Sequence, residues 1–545
     1  MPALLLGPML RYLDADSATV WLQTDTPATV EVLGRSARTF AVAGRHYALV
    51  VLEDLAPHPV EYGVTLDGTQ VWPLPGAAPS CIRPVTHGRL FSLAFGSCRV
   101  AAPLDNEKAG IDALHALSER VKGGSPALRP DALLLVGDQV YADDNISPRT
   151  KAFVESRRGP GSPRPVEVCD IDEYMHLYQE AWSPREIRWL FSTVPTMMIF
   201  DDHDIRDDWN TSQAWRRTIQ QTPWWQERIV SGLVAYWVYQ HLGNLSPAEL
   251  AEDETWQQVQ RAAAQGQDAE DVLRDLATRA DAAADGGPGV RWSYARDLAG
   301  SRLVVLDSRC NRKVDGDQRL MVGDREWEWF REQATGDVDH LLIATSVPFL
   351  LPPGVHELET WDEALCSGRW GLRGARVGER LRQAIDLEHW PAFGDSFARM
   401  CDVLASVGSG ERGRPPSSIT FLSGDVHFAY VAEAAFSGRN DVGSRILQAV
   451  CSPFRNPLPP SARLGERFAS TAAGRVIGRL LAGTVRATAS QLSWKVTRGP
   501  AFGNEMATVR LDGAEIDITV ESAAAPAAFD HRFRAVYQPL RPRVS

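Results

Sequence analysis

Short apolar runs, each stopping at a polar residue, constrain this chain more than any other feature. "LFSLAF" ends before Gly96, "ALLLV" before Gly137 and Asp138, and "TMMIF" before Asp201. "RLVVL" stops before Asp307, "HLLIAT" before Ser346, and "SITFLS" before Gly424 and Asp425. Unbroken runs of this length fit strands covered on both faces. Stretches such as "IDALHALSERV" and "DEYMHLYQEAW" carry helical spacing between them. The pattern predicts an α/β fold with a layered β-sheet core flanked by helices. In such folds a site gathers at the carboxyl ends of the strands, where these polar residues stand.

Residues 1–85 read differently. "ATVWLQT", "ATVEVLG" and "VEYGVTLDG" show partial two-residue alternation between turn residues. That predicts a small N-terminal β-sandwich domain. "PLPGAAP" reads as a linker or a sandwich loop. The main domain is expected over residues 90–520, interrupted twice. Residues 243–290, rich in Ala, Gln, Asp and Glu, read as a helical insertion, either a solvated surface hairpin or a lid. Residues 355–417 form a second insertion with several aromatics. "EMATVRLDGAEIDITVES" reads as a hairpin around Asp512 and Gly513, followed by a C-terminal tail over 521–545.

The net charge of −12 argues against nucleic-acid binding as the main task and suits a protein that holds cations. The seven cysteines are odd in number and form no CxxC, which excludes a disulfide scaffold or a zinc ribbon. The opening "MPALLLGPMLRYLDADS" has no basic segment, and Gly7 and Pro8 break its apolar run. It reads as neither a signal peptide nor a membrane span, so a cytoplasmic location is expected. No obligate protein partner is expected.

Chemistry concentrates in the residues that follow the runs. In "LLLVGDQVYADD", Gly137 lets backbone approach a ligand beside Asp138, and Tyr141 follows three residues on. Alone, such a Gly-Asp is also a plain turn. In "MMIFDDHDIRDDWN", Asp201, Asp202, His203 and Asp204 precede Arg206, Asp207, Asp208 and Asn210. Carboxylates crowded in this way call for cations between them, unless the stretch is an acidic turn. In "ITFLSGDVHFAY", Asp425 and His427 stand two apart and would share one side of an extended chain. A packed histidine is the bland alternative. Cys98 in "FGSCR" is a buried hydrophobe, a nucleophile or a metal ligand. Trp209, Trp215, Trp224 and Trp225 form either an aromatic wall for a base or lipid headgroup, or part of the core. A two-metal hydrolytic site needs such a collection, with one carboxylate bridging the ions and others offsetting their charge.

The motifs "FGSCR", "VGDQVYAD", "FDDHDIRDDWN" and "LSGDVHFAY", in this order, resemble the alkaline phosphatase D family of the calcineurin-like metallophosphoesterases. The resemblance covers about residues 90–520, and residues 1–85 resemble the β-sandwich that precedes the catalytic domain in that family. It implies a metallophosphoesterase-type core and a metal-dependent hydrolase of phosphate mono- or diesters, acting on a small molecule or a lipid headgroup. It implies Asp138 as the bridging, catalytic carboxylate. Cys98, Tyr141 and His427 would then bind a ferric iron ion. Asp202 and Asp425 would face a second, divalent metal; carboxylates in place of nitrogen ligands suit a hard cation such as calcium. His203 would be catalytic and contact the phosphate. Arg99 and Arg206 would bind phosphate or serve salt bridges. The chain departs from the family in Asp204, where the motif often ends in Glu, and in "SVPF", which lacks a histidine common in the superfamily. It also lacks the twin-arginine segment of many relatives. A non-catalytic metal-containing binding protein and a hydrolase of non-phosphate esters are the competing functions.

Overall fold

Each apolar run becomes a buried strand, and the runs divide between two sheets. The structure is a computed structural model that describes residues 1–540 except 87, 103–105, 107, 125–127, 144, 316–318, 460–462, 464–466, 468–470 and 486–489. In the first sheet the strands lie in the order Thr196–Ile199, Ala132–Val136, Phe91–Gly96, Glu505–Asp512, Glu515–Ala525 and Ala528–Tyr537. The first three are parallel and the last three form an antiparallel meander. In the second sheet the order is Tyr294–Leu298, Ser301–Leu306, His340–Thr345, Ser418–Ser423, Arg445–Val450, Ala429–Phe436 and Leu492–Ala501. Four of its strands, from Ser301–Leu306 to Arg445–Val450, run parallel.

Alternation along the strands explains why the runs are unbroken. Leu303, Val305, Leu342 and Ala344 join Leu93, Leu133 and Leu135 of the first sheet in one core. Their neighbours Val304, Leu306, Leu341 and Ile343 belong to a second core with Trp327, Phe330, Met400 and Leu404. Those four come from the helices Asp324–Gln333 and Gly394–Gly408. With both faces covered, no position along these strands favours a polar residue.

The N-terminal residues form two four-stranded sheets around Val20, Leu22, Val30, Val50, Val64, Leu66 and Trp72. Leu6, Met9, Trp21 and Tyr47, also from these strands, belong to the core of the main body. Arg11 crosses between the two. Its guanidinium donates to the carbonyls of Thr196 at 2.9 Å, Tyr239 at 2.7 Å and Gln240 at 2.6 Å.

The acidic segment 243–290 packs against the body rather than standing out as a solvated hairpin. Its helix Glu270–Asp281 buries Leu273, Leu276, Ala277 and Ala280, and Asp268 accepts the backbone N–H of Ala43 and Gly44 at 3.0 and 2.8 Å. An apolar stripe hidden in a polar composition drives this packing. The second insertion supplies the helices Pro353–Cys366, Gly371–Ala384 and Gly394–Gly408. The stretch expected as a tail holds the edge strand Ala528–Tyr537 instead. Phe529, Phe533 and Tyr537 alternate along it and pack against the main core.

Candidate metal centre

The carboxyl ends of Phe91–Gly96, Ala132–Val136, Thr196–Ile199 and Ser418–Ser423 converge. Close packing of backbone there demands glycine. A Cβ on Gly137, whose φ is +106°, would meet Asp201 Cβ at 2.5 Å, and one on Gly424 would overlap the Ser97 side chain. Ser97 Oγ accepts the Asp425 N–H at 3.0 Å, which ties the ends of strands from the two sheets together. Asp204 ties two more, its Oδ2 accepting the N–H of Asp138 at 3.0 Å and of Asp201 at 2.9 Å. Cys98, Asp138, Asp425 and His427 all have left-handed backbone, with φ of 57°, 50°, 67° and 58°. Such geometry costs about 1–3 kcal/mol per non-glycine residue and persists where the surroundings impose it.

Asp138 is the hub. Its Oδ2 accepts the Cys98 thiol at 3.3 Å and the Tyr141 hydroxyl at 3.4 Å, and Asn456 Nδ2 donates to the same hydroxyl at 3.0 Å. Asp138, Asp202 and His203 bring ligand atoms within 4.8 Å of one another, and so do Asp138, Asp201, Asp202 and Asp425. Asp138 Oδ1 and Asp201 Oδ2 are buried and accept no hydrogen bond, while the buried Asp202 Oδ1 faces Arg309 Nη2 at 3.3 Å. Orphaned carboxylate oxygens aimed at one spot fit a cation. Burial raises the Asp138 carboxyl well above its usual range, with Asp201, Asp202 and Asp204 adding to the effect. Burial also pushes Asp201 up to about 8 and Asp204 up to about 7. The Cys98 thiol and Tyr141 phenol are raised by burial and by the Asp138 charge.

His203 Nδ1 lies 2.9 Å from Asp143 Oδ2, and Nε2 lies 3.8 Å from Asp207 Oδ1. Burial disfavours its imidazolium, but Asp143, Asp202 and Asp138 outweigh that and hold its pKa well above the usual value.

His427 belongs to neither group of clustered ligands among the described residues. The strand ends at Ser423, and the left-handed turns at Asp425 and His427 remove the alternation that would have placed both side chains together. Burial lowers the His427 imidazole to about 4. Arg99 does not reach the cluster. It is buried, with Nε donating to Asp112 Oδ2 at 2.9 Å and Nη1 to the Ala181 carbonyl at 2.8 Å. Arg206 pairs with Glu167 at 2.7 Å and stacks over Trp224. Trp209 and Trp225 are core, and Trp215 lies at its edge.

Sequence reasoning missed Arg309, Glu388 and His389. Arg309 is wholly buried amid the acids, its Nε paired with Asp201, Nη1 with Glu388 at 2.5 Å, and Nη2 with Asp202 at 3.3 Å and Asp425 at 3.8 Å. Asp307 prepares the turn, accepting the N–H of Arg309 and Cys310 at 2.8 Å each. Glu388 and His389 arrive from the second insertion. His389 bridges Glu359 and Asp425 at 2.6 and 2.8 Å. Only the strand end before Asp307 was visible as a signal. The loop carrying Glu388 and His389 has no local pattern.

A family model for PhoD-like phosphatases matches residues 105–472. Residues 1–84 match a family model described as a domain of unknown function, DUF7800. No curated protein sequence matches the chain. Among solved structures, one of PhoD superimposes with a TM-score of 0.60 at 13% identity, covering 98% of this chain and 90% of that one. At that identity the likeness is one of fold.

Proposed function

Because the chain belongs to the PhoD-like phosphatase family, we propose that it hydrolyses phosphate mono- or diesters with metal ions held at the strand-end carboxylates. The observation that carries this reading is the pair of orphaned, buried oxygens on Asp138 and Asp201, with Asp202, Cys98 and Tyr141 gathered at the same Asp138. Asp138, Asp202 and Asp425 would hold a divalent cation such as calcium. Asp138, Cys98 and Tyr141, joined by His427, would hold a ferric ion, because thiolate and phenolate are both iron ligands. Bound there, the ions supply an activated water and stabilise the oxygens of the displacement.

The chain's own groups do the rest. Cys98 and Tyr141 retain their protons in the metal-free protein, so loading must release them and metal affinity rises with pH. Asp143 orients the His203 ring and holds its charge. His203 Nε2 then donates to a phosphate oxygen or to the departing alcohol. Arg309 offsets part of the burial that raises Asp201 and, with Arg312, holds the Glu388 carboxyl well below the usual range.

The test compares bis-p-nitrophenyl phosphate with p-nitrophenyl acetate, using chelator-treated protein with and without added iron and calcium. Hydrolysis of the phosphate ester alone, abolished by chelation and restored by metal, is expected. Asp138→Asn should lower it by on the order of 10³ while the protein stays folded. Preference for the acetate would favour a carboxylic esterase. Metal uptake without turnover would favour a binding protein.

A further inference from the structure

The helix Gly371–Ala384 of the second insertion carries a feature that the centre does not use. Its Arg373, Arg376 and Arg380 are exposed and spaced to lie along one face, and the exposed Arg369 stands in the turn just before it. Among the described residues none of the four has an ion-pair partner. The nearby acid Glu379 is engaged elsewhere, with Arg382, Ser212 and Gln383. Like charges stacked at these spacings repel, and in a chain of net charge −12 such a face is not an average of the composition. Apolar side chains flank it. Trp370 is 54% exposed, Leu372 82% and Val377 59%. The helix Ala472–Thr484, with exposed Val476, Ile477 and Leu480, packs on the same Pro353–Cys366 helix.

The helix also connects to the centre through one loop: its Glu379 accepts the Ser212 hydroxyl, and the adjacent Thr211 hydroxyl donates at 2.6 Å to Glu388, the partner of Arg309. A cavity of about 880 Å³ beside that loop is lined by Leu372 and Arg376 on this helix and by Ser212 and Gln213. Trp361 and Trp370 meet edge to face at 6.1 Å, fixing the start of the helix against its neighbour.

We propose that this face docks on an anionic phospholipid surface, so that the substrates of the adjoining centre include phosphate esters of lipid headgroups. Arginine forks match phosphate oxygens, and a tryptophan with small apolar neighbours suits the headgroup layer. The substrate class rests on the phosphatase reading above. The docking itself does not.

The experiment is co-sedimentation of the metal-loaded full chain with vesicles of phosphatidylcholine alone or with about one third phosphatidylglycerol. The wild type should pellet only with the mixed vesicles and be released as salt rises toward about 0.5 M, where charges are screened. Arg373→Gln, Arg376→Gln and Arg380→Gln together should weaken binding about 100-fold, while hydrolysis of bis-p-nitrophenyl phosphate is unchanged, which shows the variant is folded. Should the triple variant not fold, Trp370→Ala with Leu372→Ser tests the same face, and loss of pelleting is again expected. Equal binding to neutral vesicles, binding insensitive to salt, or undiminished pelleting by a folded variant overturns docking. So does retention on heparin without vesicle binding, which would indicate a soluble polyanion. Vesicle binding by a protein inactive on every phosphate ester leaves docking standing and overturns the phosphatase reading.

Discussion

Arg309→Met would expose how the acidic centre is held together without metal. The guanidinium is wholly buried and faces Asp201, Asp202, Glu388 and Asp425. Glu388 keeps a second partner, Arg312 at 3.0 Å, and Asp425 keeps His389 at 2.8 Å. Asp202 keeps the Asp208 N–H at 3.0 Å. Among the described residues Asp201 keeps only the Ser346 hydroxyl, at 2.9 Å on its Oδ1. The substitution therefore strands about one buried carboxylate, for which removal of a partner costs about 3–5 kcal/mol. Methionine fills most of the volume, so the cavity contribution is small. Urea unfolding of chelator-treated protein at pH 9, above the value of about 8 at which Asp201 loses its proton, should show that loss. Asp201→Asn in the Arg309→Met background should recover most of it, because the penalty belongs to the stranded charge. If the double variant is no more stable than the single one, Arg309 contributes packing and not charge, and the argument fails.

Three further outcomes follow from the same geometry. His203→Ala should lower kcat by about 10²–10⁴ with metal content intact; loss of metal would make His203 a ligand. Asp201 and Asp204 hold protons in the folded, metal-free protein up to about 8 and about 7, far above the unfolded value near 4. Folded chains then bind more protons than unfolded ones across that window, so metal-free stability should fall as pH rises from about 4 to 8 and recover when metal is added; a flat or rising profile measured by thermal melting would contradict this. Iron bound through Tyr141 should give a visible absorption band that Tyr141→Phe removes, and a colourless, iron-free, fully active protein would rule out that ligand.

The parts of the centre that were legible are those written as a strand followed by its polar stop. Asp138, Asp202 and Asp425 each follow such a run, and Cys98 ends a fourth. Local pattern was enough because a strand buried on both faces advertises its end. Arg309, Glu388 and His389 were not legible. Their approach to the acids depends on a turn after one strand and on a loop between distant helices, which only the assembled fold brings together. The shared side expected of Asp425 and His427 was misjudged for a different reason. Two-residue spacing implies a shared side only in extended chain, and left-handed turns at Asp425 and His427 break that rule. The edge strand Ala528–Tyr537 was read as tail because its alternation, with charges between Phe529 and Phe533, looks like solvated chain until a neighbouring strand is supplied.

The Arg11 crossing bears on the order in which the molecule can be finished. Its guanidinium is closed by the carbonyls of Tyr239 and Gln240, 228 and 229 positions further along. At about 5–20 residues per second of synthesis, the first strands wait roughly 10–50 s for those acceptors to leave the ribosome. During that interval Leu6, Met9, Trp21 and Tyr47, which end up in the main core, have nothing to cover them. The front sheets cannot act as a finished module on which the rest is later assembled. They are an early half-built wall, sticky on one side, whose closure depends on chain not yet made, and a nascent-chain chaperone would find its strongest handle there.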